Sequence, residues 1–111
     1  MKRGEIYYAN LNPTVGSEIN KRRPVLIVSC NANNLYANTI TVLPITSNIT
    51  HIFPFEALLT PDSSGLNKPS KVQAQQIRTI SKQRITGKCL GNLNKSIMTQ
   101  VEKAIYLHLA L

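Results

Sequence analysis

The chain is short of nearly everything that familiar hydrolytic active sites are built from. It has no tryptophan, two histidines, two cysteines and five acidic residues in 111 positions. The carboxylates Glu5, Glu18, Glu56, Asp62 and Glu102 stand singly along the sequence. A two-metal site needs them clustered, so divalent-metal catalysis is not expected, and neither is any other cofactor. A paired-histidine acid–base mechanism would need His51 and His108 together. His108 continues the apolar stripe of a C-terminal helix and reads as a packing residue, whereas His51 stands in a polar turn and reads as solvated. No local motif supports a Ser-His-Asp or Cys-His nucleophile. Cys30 and Cys89 are far apart and read as free thiols of a reducing compartment, too few for a metal site. No apolar run approaches the ~20 residues of a membrane span. Gly4-Glu5 follows the basic start instead of an apolar segment, so no signal peptide is expected, and the expected location is cytoplasmic.

What the chain has in excess is positive charge. Thirteen Lys and Arg against five acids leave a formal charge of +8. Such an excess attracts polyanions by counterion release and steering, which puts nucleic acid first among partner classes. An anionic membrane is the competitor, but the C-terminal helix lacks the dense basic face of an interfacial helix. Solubility alone is the bland alternative.

The length fits one domain, residues 1–111, with one core. Most of it reads as short strands. Glu5 to Ala9 is aromatic and short, and residues 10–16 collect turn formers. Val25 to Ser29 is a continuous apolar run, expected of a strand covered on both faces. Asn31, Asn33 and Asn34 mark a turn. Thr39-Ile40-Thr41-Val42-Leu43 alternates with the period of a half-buried strand. Ile52 to Leu59 reads as a strand that Pro54 confines to an edge or bulge. Thr60 to Pro69 reads as a loop, Lys71 to Ile80 as a strand, and Lys88-Cys89-Leu90 as a last short one. Asn94 reads as an N-cap. Ile97, Met98, Val101, Ala104, Ile105 and Leu109 then recur at helical spacing. The fold class is therefore mainly β (α+β): a small closed or half-closed antiparallel barrel with a C-terminal amphipathic helix.

What remains for chemistry is a set of fixed donors. Arg23 precedes Pro24 and the buried run, so its guanidinium is held at the mouth of a strand and stays charged at physiological pH. Thr46 and Ser47 follow Pro44 at a strand end, with two hydroxyls and a turn whose N–H groups suit an anion. Arg78 lies in Gln75-Gln76-Ile77-Arg78-Thr79, long polar side chains suited to base edges and phosphates. Each has a plain structural reading as well. Arg23 pairs with Glu18, Thr46-Ser47 is an ordinary turn, or Arg78 is a structural ion pair.

Five segments together resemble the MazF/PemK (Kid) toxins in order and spacing. They are Arg3-Gly4-Glu5-Ile6-Tyr7, Asn12-Pro13 with Gly16-Ser17-Glu18, Arg23-Pro24-Val25-Leu26-Ile27-Val28, Pro44-Ile45-Thr46-Ser47 and Gln76-Ile77-Arg78-Thr79-Ile80. The resemblance spans the whole chain. It implies an SH3-like barrel of the CcdB/PemK kind, a homodimer, and a cognate MazE/PemI-type antitoxin as partner. It also implies a sequence-specific, metal-independent endoribonuclease acting on single-stranded mRNA and leaving 2′,3′-cyclic phosphate and 5′-OH ends. Position by position, it implies catalytic roles for Arg23 and Thr46 and RNA-binding roles for Ser17, Glu18, Ser47, Gln75, Gln76 and Arg78.

The chain departs from the PemK/Kid branch, which has a histidine in the first loop and an Arg-x-Asp pair later, where Ser17, Gln73 and Gln75 stand here. The MazF branch fits better, although it usually has Glu at Gln75 and Asp at Ser81, and Gly-Gly where this chain has Asn20-Lys21. Two other classes stay open at this point. One is a CcdB-like toxin that binds gyrase, and the other is a non-catalytic RNA-binding module.

Overall fold

The structure is a computed structural model and describes residues 1–12 and 21–111. Strand β1 (Glu5–Asn10) pairs antiparallel with β2 (Arg22–Ile27), setting Ala9 opposite Arg23. β2 pairs in turn with the long β3 (Thr39–Thr46), with Val25 opposite Pro44 and Ile27 opposite Val42. The strand expected to begin at Val25 begins three residues earlier, so both arginines lie within it.

The asparagines between β2 and β3 form a helix, α1 (Asn31–Tyr36), where a turn was expected. The reason is visible in Asn34. Its side chain is buried, donates 2.8 Å to the Ser29 carbonyl and accepts from the Ser29 hydroxyl, which rolls the backbone into a turn of helix.

After β3 the chain was expected to be extended from Ile52 to Leu59. Only β4 (Glu56–Leu59) is a strand, because Glu56 N–H closes a turn on the Phe53 carbonyl at 2.9 Å and Pro54 sits inside that turn. A one-turn helix α2 (Pro61–Ser64) follows, capped by Thr60. The expected strand from Lys71 to Ile80 is broken into β5 (Ser70–Gln73) and β6 (Arg78–Ser81) by a 3-10 turn at Ala74–Gln76. The break has a topological cause. β5 pairs with the end of β3 through Ile45 and Thr46, whereas β6 pairs with its beginning through Thr39 to Val42. One straight strand cannot serve both.

Last come β7 (Ile85–Asn92), longer than expected, and α3 (Lys95–Leu109). The path across the seven-stranded sheet runs β4-β5-β3-β2-β1-β7, with β6 also on β3. β4 and β7 stand at its two ends and are not paired with each other, which makes the barrel half-closed.

Two apolar clusters lie on opposite faces of β2 and β3, as the period of two requires. Ile6, Leu26, Leu43 and Ile45 pack against Met98, Val101 and Ala104 of α3. Val25, Ile27, Val42, Ile40 and Ile80 pack with Ala9 and Leu11. The helix starts where expected, since Asn94 Oδ1 accepts the Ile97 N–H at 2.9 Å. The far end of its stripe is not buried. Leu109 and His108 are exposed, and His108 is a neighbour of the Phe55 ring at 6.2 Å, not the packing residue expected. The stripe outruns the sheet it packs on.

Candidate nucleic-acid interface

The strand ends carry the chemistry. Arg23 is half-buried in β2 and Thr46 closes β3. The β2–β3 ladder ends with Val25 opposite Pro44, two residues short of Arg23 and of Thr46, so the two strands bring these residues to the same end of the sheet. Both residues stand on strands rather than in loops, so the strands limit where their side chains start. Thr46 Oγ1 accepts the Asn48 N–H at 3.2 Å, which takes one of its two lone pairs and leaves its O–H able to donate to a ligand. Ser47 is exposed beside it.

Arg23 and Ser47 line one cleft of about 280 Å³ together with Tyr8, Arg22, Asn67, Lys68 and Ser70. Of the described residues expected to bind RNA, the structure brings only Ser47 to this cleft. Arg78 lies on β6 opposite Val42, and its Nη1 donates 3.2 Å to the Leu11 carbonyl. Arg84 Nη1 donates to the carbonyls of Asn10 and Asn12. These two guanidiniums hold the backbone just before residue 13. Ser17 and Glu18 lie outside the described residues.

Gln75 and Gln76 share the 3-10 turn. The Gln75 amide is directed inward, donating 2.7 Å to Glu56 Oε2, where Gln73 also donates at 3.2 Å. Glu56 Oε1 accepts from Lys71 Nζ at 3.0 Å and from the Phe53 N–H at 2.9 Å. Burial works against the charge on Glu56, but the Phe53 N–H and the Gln75, Lys71 and Gln73 donors outweigh it and bring its pKa down to about 2. The amide oxygens of Gln73 and Gln75 are buried without a partner among the described residues. Lys71 is the ladder partner of Thr46 and also donates 2.7 Å to the His51 carbonyl. The network thus closes the loop that begins at Thr46 and returns at Glu56.

Tyr8, Arg22, Asn67 and Lys68 also line the cleft and were not expected there. The signal for one was present, since Arg22 stands directly beside Arg23 in a strand. Among the described residues no three of His, Cys, Asp and Glu come close enough to share a metal ion. No described helix is long and apolar enough to cross a membrane.

The fold and these strand-end donors define a small antiparallel sheet backed by one helix, with fixed cations and hydroxyls at one edge. The chain belongs to the PemK-like, MazF-like toxins of type II toxin–antitoxin systems, whose family model matches residues 2–109. It is 40% identical to the endoribonuclease MazF9 of Mycobacterium tuberculosis, covering 100% of this chain and 98% of that protein. It is 37% identical to the endoribonuclease EndoA of Bacillus subtilis, covering 100% of this chain and 96% of that protein. Among solved structures it superposes, with a TM-score of 0.82 and 26% identity, on a mycobacterial endoribonuclease in complex with its cognate antitoxin, covering 100% and 96% of the two chains. The MazF of Deinococcus radiodurans shares the fold, with a TM-score of 0.85 at 23% identity over 100% of this chain and 97% of that one.

Proposed function

We propose that this chain is the toxin of a type II toxin–antitoxin system and cleaves single-stranded mRNA without a metal cofactor. The observation that supports the reading is that Arg23 and Ser47 line one basic cleft, with Thr46 next to Ser47 at the end of β3. The relatives named as endoribonucleases support it.

In this reading the ribose 2′-oxygen forms a bond to the adjacent phosphorus and gives up its proton. The bond from phosphorus to the 5′-oxygen breaks, and that oxygen leaves protonated. The products are a 2′,3′-cyclic phosphate and a 5′-OH end. Charge on the phosphoryl oxygens rises in the transition state. Arg23, with a planar fork and a fixed positive charge, meets it, while Thr46 donates a hydrogen bond. Ser47 contacts the flanking nucleotides at this cleft; the resemblance assigns the same role to Ser17, Glu18, Gln75, Gln76 and Arg78, although here the Gln75 amide is engaged by Glu56 and the Arg78 guanidinium by the Leu11 carbonyl.

The working form is a cytoplasmic homodimer, which extends the basic track across a two-fold axis. A cognate MazE/PemI-type antitoxin, acidic and folding on contact, inhibits it by occupying that track. The mycobacterial neighbour solved with its cognate antitoxin supports this partner.

The test is incubation with a long single-stranded RNA in EDTA. Discrete cuts ending in cyclic phosphate are the expected result. Intact RNA would overturn the reading in favour of a gyrase-binding toxin or a non-catalytic RNA-binding module.

A further inference from the structure

We propose that Arg22 and Lys68 form a second phosphate subsite, which takes a non-scissile phosphodiester of the RNA strand beside the one handled by Arg23 and Thr46. The proposal rests on the ribonuclease reading above.

Tyr8 lies opposite Pro24 on one side and Thr86 on the other, so three strands present one shared face. The Arg22 guanidinium lies across that face, 4.1 Å from the centre of the Tyr8 ring, and its Nε donates 3.0 Å to Thr86 Oγ1. An exposed arginine ordinarily loses much rotamer freedom when it grips a ligand. Here the stack and the hydrogen bond have already spent that freedom, which is the condition for a preorganised anion site.

The facing wall is equally fixed. Gly65 has φ +76° and Gly91 lies against Ser64. A Cβ on Gly65 would fall 2.2 Å from the Leu90 carbonyl oxygen, and one on Gly91 1.9 Å from the Ser64 oxygen. The two glycines let the loop after α2 sit directly on the β7 backbone. Leu66 then packs on the core, and Ser70 Oγ donates 3.0 Å to the Lys68 carbonyl. Lys68 and Asn67 are thereby presented to the cleft from a firm loop.

The lining chemistry points to an anion. The described lining residues include Arg22, Arg23 and Lys68, with Ser47, Asn67 and Ser70 as polar neighbours, and no carboxylate. The ion pairs among the described residues, Arg3–Glu102 and Lys71–Glu56, involve neither Arg22 nor Lys68. Because Arg23 and Ser47 line the same cleft, a strand with its scissile phosphate at Arg23 carries a neighbouring phosphate into it. Fixed cations with hydroxyl and amide neighbours suit a phosphodiester and its ribose.

The experiment measures binding of a single-stranded RNA, made uncleavable by a 2′-deoxy nucleotide at the scissile position, over a range of salt concentrations. Wild type, Arg22→Gln and Lys68→Gln are compared, with cleavage kinetics on the unmodified RNA alongside. Each phosphate contact on a single strand contributes about 0.7 to the slope of log affinity against log salt. Each variant should lose about that much slope, and the larger part of the kinetic loss should fall on KM. Unchanged slopes in both variants overturn the subsite while leaving the ribonuclease reading intact. Unchanged RNA slopes with weakened binding of an acidic antitoxin peptide also overturn it, because the cleft then takes protein carboxylates. Failure of wild type to cleave RNA overturns the ribonuclease reading itself, and the subsite with it.

Discussion

Lys71 Nζ lies 3.0 Å from Glu56 Oε1, and the Glu56 side chain is completely shielded from solvent. The pair is buried, hydrogen-bonded on every side, and placed where the loop from Thr46 returns to the sheet. A buried pair of this kind penalises the loss of one partner far more than the loss of both, since a single deletion leaves an uncompensated charge. We expect Lys71→Met to lower stability by about 3–5 kcal/mol. The double variant Glu56→Leu with Lys71→Met should recover most of that loss. Urea unfolding of the three proteins measures it, and additive losses would refute the coupling.

The same carboxylate sets the acid limb of stability. The pKa of Glu56 drops from 4.5 to about 2, so the folded protein releases this proton more readily than the unfolded chain does. Its contribution is complete above the unfolded value and is lost as pH falls from there through about 2. At about 1.4 kcal/mol per pKa unit, the contribution is on the order of 3 kcal/mol. Urea midpoints between neutral pH and pH 3 should fall steeply in wild type and more gently in Glu56→Gln. Parallel curves would assign the acid sensitivity to other carboxylates.

The loop that walls the cleft depends on a close approach of backbones. Gly65→Ala puts a methyl group 2.2 Å from the Leu90 carbonyl oxygen at a φ of +76°. Strain at such a position costs on the order of 1–3 kcal/mol. We expect a lower thermal midpoint, and weaker RNA binding because Lys68 is carried away with the loop. Wild-type stability in this variant would show that the loop relaxes freely.

Local pattern made several strands legible and singled out Arg23 and Thr46. Val25 to Ser29 reads as covered on both faces, and its residues from Val25 to Ile27 do alternate between two clusters, the strand ending at Ile27. Arg23 stood out because Pro24 and that run left it one place to be. The break at Ala74–Gln76 reads as an imperfect strand, because Val72 and Ala74 keep the period of two and only the three-residue step to Ile77 departs from it. What breaks the strand is its partner β3, which it follows in two separate registers. Glu56 and Lys71 are 15 residues apart, and each alone reads as an ordinary surface charge. Only the fold brings them together in the interior. Arg22 was overlooked because its stacking partner Tyr8 sits on another strand.

The sharpest functional prediction separates charge from shape at the proposed catalytic pair. Arg23→Lys keeps the positive charge but replaces a planar fork with a point donor on a flexible stem. Thr46→Val keeps the shape of the side chain and removes the donor, whereas Thr46→Ser keeps the hydroxyl. Both positions lie at half-buried strand ends, so the fold should survive. Loss of one preorganised donor to a transition state lowers the rate by about 10²–10³. We expect that loss in kcat for Arg23→Lys and for Thr46→Val, with substantial activity kept by Thr46→Ser. The measurement is single-turnover cleavage of a short RNA, with circular dichroism confirming the fold. Near-normal turnover by Thr46→Val would remove the hydroxyl from the mechanism, and near-normal turnover by Arg23→Lys would reduce the role of Arg23 to charge alone.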